Sequence, residues 1–181
     1  MKLMICSDIH GSALYCAQML QCFEREKCDR LLLLGDILYH GPRNALPDGY
    51  DPKAVAELLN AKKEKIFCIR GNCDAEVDQM VLDFPIMADY AVFPVESRML
   101  YATHGHVYNG QNPPPLCAGD ILLFGHIHVP KCETQGRIAV LNPGSVSIPK
   151  EGSARGYMTL ENGLFEWKTL DQTEPFMRWQ A

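Results

Sequence analysis

The sequence predicts an α/β protein in which two β-sheets pack face to face with helices outside. Three observations lead there. In the first half, short apolar runs alternate with helix-like stretches, as β-α-β units require. After residue 84 strand-like runs follow one another with turn residues between them, which favours mostly antiparallel pairing. The 181 residues, 47% hydrophobic and 22% charged, suit a single domain spanning 1–181 that buries a large core.

The elements follow in chain order. Leu3-Met4-Ile5-Cys6 reads as a buried strand. An amphipathic helix is expected from about Gly11 to Glu26, with Leu14, Met19, Leu20 and Phe23 turned inward. Leu31 to Leu34 is a second buried strand. Asp51-Pro52 marks a helix start, an N-cap followed by proline in the first turn, and Val55, Leu58 and Leu59 supply the apolar face. Ile66 to Ile69 is a third strand, Tyr90 to Val95 and Met99 to Thr103 are sequential ones, and Ile121 to Phe124 is buried again. Cys132 to Leu141 reads as a hairpin turning at Gln135-Gly136, and Gly156 to Thr169 as another turning at Asn162-Gly163. Pro113-Pro114-Pro115 stiffens a loop. The tail from Glu174 shows no clear pattern, although Phe176, Met177 and Trp179 are apolar enough to dock on the body or on a second copy of the chain.

Composition narrows the function classes. A net charge of −5 argues against a broad nucleic-acid groove. No apolar run approaches the ~18 residues of a membrane span, and none resembles a secretory signal, so a cytoplasmic location is expected. The eight cysteines contain no C-x-x-C pair, which argues against a zinc knuckle and for reduced, mostly structural thiols.

Polar residues gather where the apolar runs end. The first strand ends in Asp8-Ile9-His10, the second in Gly35-Asp36 and the third in Gly71-Asn72-Cys73-Asp74. Two later strands end in His104-Gly105-His106 and Gly125-His126-Ile127-His128. In α/β sheets, ligands bind outside the carboxyl ends of strands, so five such ends converge on one plausible site. Residues two apart in extended chain point the same way, which lets Asp8 and His10 grip one ion. Glycines before Asp36, Asn72 and His126 are expected to permit the sharp turns. Six histidines placed at random would give roughly 0.2 His-x-His pairs, and two occur. Such oxygen and imidazole donors suit divalent ions, with Mn²⁺ expected and Zn²⁺, Fe²⁺ or Mg²⁺ as alternatives. The donors are too many for one open ion, so two ions bridged by Asp36 are expected.

The ordered pattern D-x-H, G-D, G-N-x-D, H-G-H, G-H-x-H resembles the calcineurin-like metallophosphoesterase superfamily, over most of the chain from Asp8 to about Ser147. Tyr39 to Asn44, Gly71 to Asp74 and Asn142 to Ser145 look most like its small prokaryotic phosphodiesterases of the YfcE type. The resemblance implies a two-sheet β-sandwich flanked by helices, in four α/β/β/α layers. It implies that Asp8, His10, Asp36 and His128 hold one metal, and Asp36, Asn72, His104 and His126 a second, with a metal-bridging hydroxide attacking a small phosphodiester. Asp36 and Asn72 are thus expected in catalysis, Asn72 also at the substrate. A phosphomonoesterase using the same site is one alternative. A protein-binding scaffold like the superfamily's retromer subunit is another, although here no ligand is lost.

One residue departs from the pattern. Many superfamily members carry histidine where this chain has Cys73, and that histidine contacts the phosphate and can protonate the leaving group. Cys73 reads either as a small packed residue or as a catalytic thiol, and the leaving-group role is open. His106 is a candidate to orient substrate or donate that proton, and His40 and Arg43 are candidates for the phosphate pocket. Two divalent ions set against two carboxylates and a hydroxide leave one positive charge, which leans toward a diester monoanion.

Overall fold

Alternation along the first strands decides the architecture of the computed structural model, which describes residues 1–181. In β1 (Leu3–Cys6), Leu3 and Ile5 enter one apolar core while Met4 and Cys6 enter another. β2 (Arg30–Leu33) does the same, with Leu32 facing one core and Leu31 and Leu33 the other. Strands buried on both faces need a layer on each side, and a fully buried leucine contributes about 1.5–3 kcal/mol. One layer is helical: α1 (Ala13–Arg25) and α2 (Pro52–Asn60) supply Met19, Phe23, Val55 and Leu59 to the core that holds Met4 and Cys6. The other layer is a second sheet.

The first sheet also contains β3 (Ile66–Cys68), β9 (Gly156–Glu161), β10 (Leu164–Thr169) and β11 (Met177–Gln180), in the order β11-β10-β9-β1-β2-β3. The second sheet contains β4 (Tyr90–Val95), β5 (Arg98–Thr103), β6 (Ile121–Phe124), β7 (Pro130–Gln135) and β8 (Ile138–Pro143), in the order β4-β5-β6-β8-β7. Leu100, Ala102, Ile121, Leu123 and Leu141 meet the first sheet in the inter-sheet core. This is the predicted class of two packed sheets with flanking helices. Helices cover the first sheet. On the outside of the second, Leu122, Phe124 and Val140 pack with Leu116 of the loop following β5.

Several expectations change in detail. The second half is mostly antiparallel, as expected, but the second sheet is mixed, because β5, β6 and β8 run parallel. Ser12 starts α1 by accepting a hydrogen bond from Tyr15 N at 3.2 Å, and Leu14, in the first turn beside the Gly49 loop, stays 44% exposed rather than facing inward. The tail forms β11 against β10, with Trp179 packed near Phe165. A short α3 (Glu76–Gln79) follows β3 without a sequence signal of its own. All eight cysteines are free, and no helix is long and apolar enough to cross a membrane.

Candidate active site

Immediately after β1, β2 and β6 the backbone enters a conformation that L-residues avoid. Asp8, His10, Asp36, His126 and His128 all have φ between 49° and 64°, at a cost of the order of 1 kcal/mol each. The surroundings enforce it. Asp8 N donates to Gly35 O and His10 N to Asp36 O, while Ser145 Oγ and Ser147 Oγ both donate to Asp8 O. Asp74 anchors the neighbouring turns: its carboxylate accepts from Asp36 N (2.8 Å), Ile37 N (2.9 Å) and Gly71 N (2.7 Å). Of the three glycines expected to permit these turns, only Gly35 has a left-handed φ, 97°; Gly71 and Gly125 are needed because a Cβ would collide with Asp36 and with the Ser7 side chain.

These turns bring all seven expected ligands together. Three groups of side chains could each hold an ion: Asp8, His10 and His128; Asp36, His104 and His126; and His10, Asp36 and Cys73. Asp8 Oδ1 lies 3.1 Å from His128 Nε2 and 3.5 Å from His10 Nε2. Asp36 Oδ2 lies between the clusters, 3.6 Å from His10 Nε2 and 3.4 Å from His104 Nε2. Asn72 Oδ1 sits 3.1 Å from His104 Nε2.

The hydrogen bonding behind the rings fixes what they present. Nδ1 of His10, His104 and His128 each faces a backbone carbonyl, of Tyr39, Leu34 and Ile148, at 2.6–2.8 Å. A carbonyl only accepts, so each Nδ1 carries a proton, and in its neutral form each ring turns the Nε2 lone pair into the site. His10 Nε2 and His128 Nε2 then face each other at 3.3 Å, and Asp8 Oδ1 is buried without a hydrogen-bond donor. Acceptors crowded this closely in a buried place call for cations, and the donor set fits divalent metal ions.

Electrostatics agree. Burial would lower His104, but its hydrogen bond to Asp36 and the charges of Asp8 and Asp36 raise it to about 9. Burial would raise Asp8, yet His10 and His128 hold it well below the carboxylate range. A proton on Nε2 thus relieves the same crowding that a metal ion would. His126, with its own burial and the charge of His104 against it, falls to about 4 and stays neutral.

Residues 1–163 match the calcineurin-like phosphoesterase superfamily domain. The chain belongs to the calcineurin-like phosphoesterase superfamily. It is 49% identical over 164 residues to phosphodiesterase YfcE of Escherichia coli strain K12, covering 91% of this chain and 89% of that one. A solved structure of the E. coli phosphoesterase YfcE superposes with a TM-score of 0.95 at 44% identity, covering 99% of both chains. The fold, though not more, is shared with Entamoeba histolytica Vps29 complexed with zinc, at a TM-score of 0.59, 17% identity and 99% coverage of both.

In this phosphoesterase the ligand cluster opens into a cleft of about 320 Å³ that includes Arg43, Asn72, Cys73 and His126. Of the expected substrate residues, Arg43 lines the cleft and His40 does not. The His40 ring packs edge-on against Tyr39 and Tyr50, with Nδ1 3.4 Å from the Tyr50 hydroxyl. His106 is exposed; its ring centre lies 5.5 Å from that of His104, and it lines a neighbouring cavity instead. Cys73 reaches the cleft, and burial and Asp36 push its thiol up to about 12. Asn44 and Lys150 also line the cleft and escaped the sequence reading. No local motif marks Lys150, which is placed by a long-range bond from its N to His128 O.

Proposed function

We propose that this metallophosphoesterase hydrolyses small phosphodiesters with two divalent ions, manganese preferred, held on either side of Asp36. The observation that carries this reading is the facing of imidazole lone pairs and carboxylate oxygens in two clusters that share the Asp36 carboxylate. Asp8, His10, Asp36 and His128 would hold one ion, and Asp36, Asn72, His104 and His126 the other. When bound, divalent ions would supply Lewis acidity toward a phosphoryl oxygen and would make a water more acidic and hence a better nucleophile.

The chain's own residues do the rest. The carbonyls behind His10, His104 and His128 fix the rings so that no reorientation is needed during turnover. Arg43 and Lys150 at the cleft would draw in an anion, and Asn72, which lines the cleft beside His104, would meet a phosphoryl oxygen there. The E. coli relative named a phosphodiesterase supports the diester reading. The cleft volume and the net charge of −5 suit a small ester rather than a nucleic-acid strand. The absence of a membrane-spanning helix is in keeping with a cytoplasmic enzyme. Arg43 and Lys150 bring positive charge beyond the metals, which favours a phosphomonoesterase as the second reading.

Assays with Mn²⁺, Mg²⁺ and Zn²⁺ separate these. Bis(p-nitrophenyl) phosphate should turn over faster than p-nitrophenyl phosphate, fastest with manganese. Asp36→Asn should cost more than the ~10–100-fold typical of a residue that merely supports a ligand, and bound metal should fall below two ions per chain. Preferred turnover of the monoester would shift the assignment to a phosphatase. Full activity of Asp36→Asn with metal intact would remove the shared-carboxylate premise.

A further inference from the structure

A second cavity adjoins the metal-ligand cluster and has the opposite character. It measures about 210 Å³ and is lined by Asp89, Tyr90, Tyr101, Thr103, His106 and Tyr108. Antiparallel register sets Val92 opposite Tyr101 and Tyr90 opposite Thr103, so Tyr90 and Tyr101 are diagonal neighbours on one face of the second sheet. Their rings stack at 5.0 Å and 12°. Tyr108, on the loop after β5, stands edge-on to Tyr101 at 6.5 Å and 89°. Tyr90 remains 55% and Tyr108 38% exposed, so folding gains little from this aromatic surface.

The charges differ as well. Arg43 and Lys150 line the catalytic cleft, whereas this cavity has no lysine or arginine and has the Asp89 carboxylate, which opposes a phosphate. His106 joins the two spaces. It lines the tyrosine cavity, and its ring centre lies 5.5 Å from that of His104 and 6.4 Å from that of His126. A phosphate held beside His104 and His126 would therefore have one ester arm within reach of the tyrosines.

We infer that this cavity is the subsite for an uncharged aromatic or heteroaromatic ester group of the substrate, with Tyr90, Tyr101 and Tyr108 as specificity-determining residues. The inference rests on the phosphodiesterase reading above. Ring stacking supplies the attraction and tolerates different ring systems, because each has a π-face. Asp89 and the tyrosine hydroxyls add acceptors and donors at the ring edge.

Phenylphosphonate and methylphosphonate test it, since they share a charged head and differ in the ring. With manganese-loaded protein, phenylphosphonate should bind at least about tenfold tighter by calorimetry and by inhibition, in line with the stacking of one ring. Tyr90→Ala and Tyr108→Ala should reduce that preference to about twofold while leaving methylphosphonate affinity unchanged, and Tyr108→Phe should keep it. Equal affinity of the two compounds for the unmodified protein, or a preference that survives both alanine variants, would overturn the subsite. Failure of both compounds to bind would instead overturn the phosphoesterase reading beneath it.

Discussion

Asp8 and Asp36 each divide their two oxygens between fold and site. Asp8 Oδ2 accepts from His126 N at 3.0 Å and Asp36 Oδ1 from Cys73 N at 2.8 Å, which leaves Asp8 Oδ1 and Asp36 Oδ2 aimed at imidazoles. The backbone bonds hold the carboxylates still, and the left-handed turns are the conformational cost of aiming them. Cys73 stands in the same cleft with no comparable anchor for its thiol beyond Asn72 Nδ2 at 3.2 Å. A thiol is a weak donor, so the enzyme should favour esters with good leaving groups. Cys73→His should raise turnover most for poor leaving groups, flattening a plot of log kcat against leaving-group pKa. The same gain across the series would show that leaving-group protonation is not what Cys73 lacks. The ligands were legible in the sequence because apolar runs end abruptly in charged or imidazole groups two residues apart. His40 was not, because nearness to Asp36 along the chain leaves ring direction open, and Tyr50 takes the ring.

Elements are tied together at the far side of α1 by Glu26. Its carboxylate accepts from Lys2 Nζ and Lys168 Nζ, both at 2.8 Å, and from the Tyr157 hydroxyl at 3.0 Å, joining the helix to β1, β9 and β10. Burial would raise the Glu26 carboxyl, but hydrogen bonds and charge from Lys168 and Lys2 outweigh it and hold it below its usual 4.5. The unfolded chain then takes up this proton more readily than the folded one. Stabilisation is complete above the unfolded value and is lost as pH falls through the lower folded value. Glu26→Gln should cost about 3 kcal/mol in urea unfolding at pH 7, the low end for breaking a buried pair, because Glu166 stays 3.4 Å from Lys168. The gap between the two proteins should narrow below pH 4.5; an unchanged gap at pH 3 would assign the loss to packing. Apolar runs such as β1, β4 and β6 were readable because length and bounding turns agreed. β11 was hidden because alternation over Met177–Gln180 is too short to stand alone, and only pairing with β10 defines it. The parallel β5, β6 and β8 were missed because register between distant segments leaves no local trace.

At the scale of the molecule, packing two sheets brings strand ends from both to one cluster. β1, β2 and β3 deliver Asp8, His10, Asp36 and Asn72, while β5 and β6 deliver His104, His126 and His128. Neither sheet alone completes the Asp8, His10 and His128 group or the Asp36, His104 and His126 group, so the inter-sheet core that includes Leu32, Leu123 and Trp167 also sets the spacing of the site. The cationic cleft shares His10, Asp36, Asn72, His126 and His128 with this cluster, and the tyrosine cavity approaches it through His106; under the inference above, phosphate and ester arm would have separate surroundings. The proposed mechanism depends on Asp36 serving two ions at once. Anomalous diffraction at the manganese edge from manganese-loaded crystals tests that directly. Two peaks about 3.5–4 Å apart, with the Asp36 carboxylate between them, are expected. A single peak, or peaks away from Asp36, would contradict the account.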